Sequence, residues 1–143
     1  SEIVAKKAIA ALNNGLTPLV CIGESLSDRE AGTHFKFIGE QVIASTEGVE
    51  LERVIIAYEP VWSIGTGKVP SETDINEMET YIKDVLADVR KIDRQKIKVV
   101  YGGSVKSSNS GSIMNLSEVD GVLVGGASLK GDEFFKIAES SIK

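Results

Sequence analysis

Glu59 is the residue of this chain best placed to move a proton. It follows the apolar, β-branched segment Arg53–Tyr58 and precedes a loop carrying Pro60, Val61, Trp62 and Ile64. A carboxylate in that position is solvated while the loop is open and desolvated when the loop folds over it. Desolvation raises its pKa and makes it a stronger base. The loop has the parts of a hinged lid: Pro60-Val61-Trp62 on one side, Gly65-Thr66-Gly67 at the tip, and Lys68-Val69-Pro70 on the other. The residues alone leave a second reading open, a structural carboxylate that caps or pairs at a strand end.

Phosphate chemistry is suggested by glycines. Three further apolar runs end in small-residue turns: Gly23-Glu24-Ser25, Gly102-Gly103-Ser104 and Gly125-Gly126-Ala127-Ser128. Glycine lets the backbone approach a ligand closely, and a following helix N-terminus supplies free N–H donors for an anion. The plainer alternative is that these glycines only make tight turns. Two other anion motifs fail. Gly65-Thr66-Gly67-Lys68 looks like the end of a P-loop, but Trp62 stands where its first glycine belongs and Val69 replaces the magnesium-binding hydroxyl. No Gly-x-Gly-x-x-Gly joins a strand to a helix. No metal site is expected, because the one histidine, His34, and the one cysteine, Cys21, lie apart. His34 is expected on a solvated helix face.

The elements that must position these residues follow from periodicity. Helical spacing is read over Ser1–Asn14, Ser27–Thr46, Ser71–Arg90 (with Ser71 and Asp74 as a capping box), Asn109–Leu116 and Asp132–Ile142. Strands are read at Pro18–Ile22, Arg53–Tyr58, Lys98–Tyr101 and Gly121–Val124. The strands are nearly continuous apolar runs, as expected of parallel strands covered by helices. The class is α/β. Parallel strands point their C-termini to one face, where ligands bind, and glycine-rich turns after the last two strands match the usual phosphate site of a (β/α)8 barrel.

Composition agrees with an ordered, soluble domain. The 143 residues are 42% hydrophobic and 26% charged, with a net charge of −5. Disorder is therefore unexpected, and a nucleic-acid surface is not expected either. No apolar run approaches the roughly 20 residues of a membrane span, and no secretory signal is visible. A lone cysteine suits a reducing compartment.

The segment Ala57-Tyr-Glu-Pro-Val-Trp-Ser-Ile-Gly-Thr-Gly-Lys68 resembles the signature around the catalytic glutamate and lid of the triosephosphate isomerase family. Val20-Cys-Ile-Gly-Glu24, Tyr101-Gly-Gly-Ser-Val105 and Val124-Gly-Gly-Ala-Ser-Leu-Lys130 resemble three more segments of that family, in the same order. Ser63 departs from it, where alanine is usual. The resemblance implies the (β/α)8 TIM-barrel fold, no cofactor, and interconversion of dihydroxyacetone phosphate and D-glyceraldehyde 3-phosphate through an enediolate, in glycolysis and gluconeogenesis. It makes Glu59 the general base, and Gly65, Ser104, Gly125 and Gly126 the phosphate donors. Lid and latch then comprise Pro60, Val61, Trp62, Ile64, Thr66, Gly67 and Lys68, with Glu24 and Tyr101. Cys21 becomes a buried packing residue near the base. A cytoplasmic homodimer is the implied full-length form, with no nucleic acid or membrane as partner.

The family pattern also requires a lysine after the barrel's first strand and a histidine after its fourth, and neither has a counterpart here. His34 falls in the helix after the family's fifth strand. Residues 1–143 are therefore expected to be the C-terminal half of a single TIM-barrel domain: a half-barrel of four parallel strands, five to eight, that needs an N-terminal half as partner. Alone, the chain is expected to be inactive. The alternative is a stand-alone, non-catalytic half-barrel that binds phosphate weakly or associates through its open strand edges.

Overall fold

The computed structural model describes residues 1–64, 66 and 68–142. Helix α1 (Glu2–Asn13) leads into β1 (Leu19–Ile22), α2 (Leu26–Glu30) and α3 (His34–Ser45), then β2 (Ile55–Tyr58) and α4 (Glu72–Arg90). Strand β3 (Lys98–Tyr101), α5 (Ser107–Met114) and α6 (Gly131–Glu139) complete the order. The three strands form one parallel sheet in the order β1-β2-β3, with Ile22, Tyr58 and Tyr101 in register at its C-terminal end.

The fourth expected strand, Gly121–Val124, is reduced to a single parallel bridge between Val122 and Tyr101. Its backbone follows β3, with Tyr101 N–H donating to the Gly121 carbonyl (3.0 Å) and Leu123 N–H to the Tyr101 carbonyl (2.8 Å). Glycines at 121, 125 and 126 leave too short a stretch to propagate a ladder. The helix expected over Ser27–Thr46 is also two helices. Ser25 caps α2 through a reciprocal pair with Asp28, and Gly32, at φ 71°, turns the chain before α3. The last helix ends at Glu139, short of Ile142, and α5 starts two residues earlier than its periodicity suggests.

Alternation along the strands divides the sheet into two unlike faces. Val20, Ile22, Ile56, Tyr58, Val99 and Tyr101 are all buried beneath helices. Opposite them, Leu19 and Cys21 are exposed and Ile55 and Val100 only half-buried. The helices on the covered face supply matching stripes: Ala5, Ala8 and Leu12 from α1, Ile38 and Val42 from α3, and Ile75, Met78, Ile82 and Leu86 from α4. Their three- and four-residue spacing turns one side of each helix to a common core. The capping box expected at Ser71 and Asp74 is formed, and it fixes the start of α4 immediately after the Glu59–Pro70 loop.

Candidate active site

Strand register determines where Glu59 stands. Its N–H donates to the Ile22 carbonyl (2.7 Å), and the Gly102 N–H donates to the Tyr58 carbonyl (2.8 Å). Glu59 is thereby held between Gly23 and Gly102, one residue beyond each strand end. Both neighbours must be small. A Cβ on Gly23 would overlap the Glu59 carbonyl, and one on Gly102 would lie 2.6 Å from the Glu59 Cγ. The carboxylate is half-buried and shares the open face with Cys21. Although Cys21 is exposed rather than buried, the partial burial of its thiol and the adjacent Glu59 carboxylate push its pKa up to about 12. Cys21 lies with Leu19 on the exposed side of β1. So high a pKa keeps the thiol protonated and poorly nucleophilic.

Glu24 lies one strand away in the same layer and has the opposite environment. It is fully buried, and its Oε1 accepts from the Tyr58 hydroxyl and the Trp62 Nε1–H, each at 3.1 Å. Arg29 Nη1 stands 3.7 Å from that oxygen, with the guanidinium carbon 5.9 Å from the centre of the Trp62 ring. The Tyr58 phenol, buried and beside this carboxylate, is held far above its ordinary pKa by burial first and then by the charge of Glu24.

The loop is folded back on itself. Val61–Ser63 form a short 3-10 turn; Val61 and Ile64 are exposed, and Pro60 and Ser63 are buried. The Ser63 hydroxyl donates to the Lys68 carbonyl (2.8 Å), and the Thr66 hydroxyl to the Trp62 carbonyl (3.0 Å). Ser104 joins this loop to the turn after β3, its hydroxyl donating to the Ser63 carbonyl at 2.7 Å. The Ser104 N–H makes a longer bond, 3.4 Å, to the Ser63 hydroxyl. The Tyr101 hydroxyl is buried without a hydrogen-bond partner among the described residues. Gly65 and Gly67, the expected phosphate donor and its companion at the lid tip, lie outside the described residues.

Glu59, Ile64, Ser104, Gly125 and Gly126 line one cavity of about 700 Å³ at the C-terminal end of the sheet. Trp62, Glu24 and Tyr101 stand behind it. Lys106, Lys130 and Glu133 also line it, and the sequence reading missed all three as site residues. The lysines carried a usable signal, since each falls within four residues of a glycine-rich turn. Arg29 was missed as well, and no local spacing pointed to it. His34 corrects the expectation of a solvated position: it is half-buried at the start of α3, against Phe35, with Nδ1 buried and without a hydrogen-bond partner among the described residues. It does not line the cavity. No group of three or more metal-binding side chains occurs among the described residues. No helix among them is long and apolar enough to cross a membrane.

The family model for triosephosphate isomerase matches residues 1–141. The triosephosphate isomerase of Nocardia farcinica is 51% identical over 135 residues, covering 92% of this chain and 52% of that protein. That of Corynebacterium diphtheriae is 47% identical over 145 residues, covering 99% and 56%. That of Alkaliphilus oremlandii is 45% identical over 140 residues, covering 95% and 56%. The chain spans about half the length of the curated relatives it matches. A match running almost from end to end, on a parallel sheet with its polar residues gathered beyond the strand ends, establishes that this chain belongs to the triosephosphate isomerase family.

Proposed function

We propose that this chain carries the base-bearing half of a TIM barrel that interconverts dihydroxyacetone phosphate and D-glyceraldehyde 3-phosphate. One observation carries the reading: Glu59 and the two glycine-rich turns that follow β3 and the 121–124 segment border the same cavity. Glu59 removes a proton from the carbon beside the substrate carbonyl, and the electron pair left behind shifts to the carbonyl oxygen, giving an enediolate. The same carboxyl returns the proton to the neighbouring carbon while the hydroxyl proton passes to the former carbonyl oxygen, so ketone and aldehyde exchange places without a net change in protons or electrons. No cofactor is needed. Backbone N–H groups of Ser104, Gly125 and Gly126, with Gly65 from the loop, hold the phosphate, and the long Ser104–Ser63 bond is the one to be exchanged for it. Lys106 and Lys130 place positive charge at the same cavity.

Trp62 and the rest of the 60–68 loop form the lid, with Glu24, Tyr101 and Ser104 as the groups it works against. The exposed face of the sheet supports an N-terminal half-barrel as the partner that closes the cavity. The full-length enzyme would be a cytoplasmic homodimer. No imidazole lines the cavity among the described residues, so the donor that stabilises the developing oxyanion must come from that partner. Loss of one such donor costs about 10²–10³ in rate, and the chain alone is therefore inactive. The test is isomerase turnover of the chain alone and after mixing with the N-terminal half of a relative. Restored turnover that is abolished by Glu59→Gln supports the reading. Turnover by the chain alone within about a hundredfold of a complete relative would overturn the need for a partner, and undiminished turnover of Glu59→Gln would remove the base.

A further inference from the structure

Asp74 makes two different kinds of contact with its two carboxylate oxygens. Oδ2 belongs to the helix cap, accepting from the Ser71 hydroxyl (2.6 Å) and the Ser71 N–H (3.1 Å), while the Asp74 N–H donates to the Ser71 oxygen (3.1 Å). Oδ1 faces away from the cap and receives Arg29 Nη2 at 2.6 Å. A neutral asparagine or glutamine would still supply the cap acceptor. The charge on Asp74 adds to the first turn of α4 and, on its other oxygen, pairs with Arg29.

Arg29 is the partner on which the buried Glu24 depends. Glu24 is fully buried and its Oε2 has no hydrogen-bond partner among the described residues. Among the described residues the cation paired with it is the Arg29 guanidinium, 3.7 Å from Oε1, and an arginine side chain with 17% exposure can also turn to solvent. A planar guanidinium gripped at Nη2 presents Nη1 in a fixed direction. The same Oε1 takes the Trp62 Nε1–H, so the contact that fixes the first turn of the 60–70 loop lies three steps from the cap of the helix that follows the loop.

We propose that Asp74 is a positioning residue: through Arg29 it holds Glu24 against Trp62, tying the entry of the 60–70 loop to the helix at its exit. This rests on the lid reading above, in which release of Trp62 from Glu24 accompanies movement of the loop. Closure and opening are then concerted at the two ends, because the grip that orients Arg29 belongs to the exit helix and the contact it supports belongs to the entry turn. Removing the Asp74 charge loosens the entry turn while leaving the cap in place.

Trp62 is the one tryptophan of the 143 residues, so its ¹⁵N-labelled indole gives a single N–H signal whose hydrogen exchange reads the Glu24 contact directly. Asp74→Asn, which keeps a cap acceptor, is expected to accelerate that exchange about fivefold, the upper end for a partly exposed ion pair. Ser71→Ala, which weakens the cap and keeps the charge, is expected to stay within twofold of the parent chain. Arg29→Met should accelerate exchange at least as much as Asp74→Asn, and combining the two should add nothing further. Equal exchange in Asp74→Asn and the parent overturns the proposal, as does an effect of Ser71→Ala as large as that of Asp74→Asn, or additive effects of Asp74→Asn and Arg29→Met. Should Asp74→Asn fail to fold, Arg29→Met alone decides, and unchanged exchange there overturns the coupling. The measurement needs no substrate, so a failed isomerase assay with altered exchange would discredit the catalytic reading and leave this one standing.

Discussion

Glu24 and Glu59 follow successive strands of one sheet, two residues and one residue past their ends, and they stand in opposite environments. Glu24 is sealed from solvent, receives two side-chain donors and answers to Arg29. Glu59 lies on the uncovered face, half-buried at a cavity wall, with the Cys21 thiol as its close polar neighbour. The strand alternation decides which is which. Ile56 and Tyr58 of β2 enter the helix-covered core, whereas Glu59, one residue on, points the other way and lines the cavity. Position 24 lies past the turn and is folded under Trp62. A buried carboxylate with its donors in place ties down the Trp62 turn; one kept at a cavity wall stays within reach of a ligand.

The sharpest way to break this comparison is Glu59→Gln in the assembled barrel. Turnover is expected to fall by about 10²–10⁴-fold, the range for a lost general base, with the urea midpoint essentially unchanged. Glu24→Ala should do the reverse to stability. It leaves the buried Tyr58 hydroxyl and the part-buried Trp62 N–H without their acceptor, and a loss of about 3 kcal/mol in urea unfolding is expected, at the low end for breaking a buried pair because Arg29 keeps Asp74 and some solvent. If both variants lose stability alike, the contrast between the two carboxylates fails.

Gly102→Ala tests the position of Glu59 rather than its charge. The added methyl would meet the Glu59 Cγ at 2.6 Å, so the carboxylate must shift by several tenths of an ångström. Turnover is expected to drop about tenfold with substrate KM little changed, since misplacing a reacting group costs rate before binding. Unaltered kcat would show that Glu59 tolerates displacement.

The smallest effect concerns a third carboxylate, Glu79 in α4, which is fully buried with both oxygens unpartnered among the described residues. Burial pushes its pKa well above the ordinary value of 4.5, an effect that Lys83 offsets only in part. The folded state therefore holds this proton more tightly than the unfolded chain. Its contribution to stability is complete below the ordinary glutamate pKa and is lost as pH rises through the folded value. Glu79→Gln should flatten that decline, so that the variant gains on the parent as pH rises above 4.5 in thermal unfolding. A parallel pH profile for the two proteins would mean Glu79 is ionised in the fold.

Much of the fold was legible because burial leaves a periodic record. The stripe Ile75, Met78, Ile82 and Leu86 and the Ser71–Asp74 cap place α4 to the residue, and three of four strands stand where apolar runs were read. Gly121–Val124 failed as a full strand because an apolar run says nothing about how long its neighbour pairs with it. The break at Gly32 was missed because Ser27–Thr46 holds helical spacing on both sides of a single left-handed residue. Among site residues, Glu59 and the glycine turns announce themselves locally. Arg29 does not, since a cation in sequence looks the same whether it meets solvent or an acid 45 residues away in α4, as Arg29 does with Asp74.

What the sequence determined by itself is the alternation of strand and helix, the family, and the small set of polar residues that must lie beyond the strand ends. Each depends on neighbours in the chain: side-chain period, cap chemistry, and glycine where no Cβ fits. Only the tertiary structure decided that Glu24 is enclosed while Glu59 remains at a cavity wall, that Cys21 faces outward, and that Arg29 joins Glu24 to Asp74. Those outcomes depend on which face of the sheet the helices cover and on charges brought together from separate turns, and no short-range pattern encodes either.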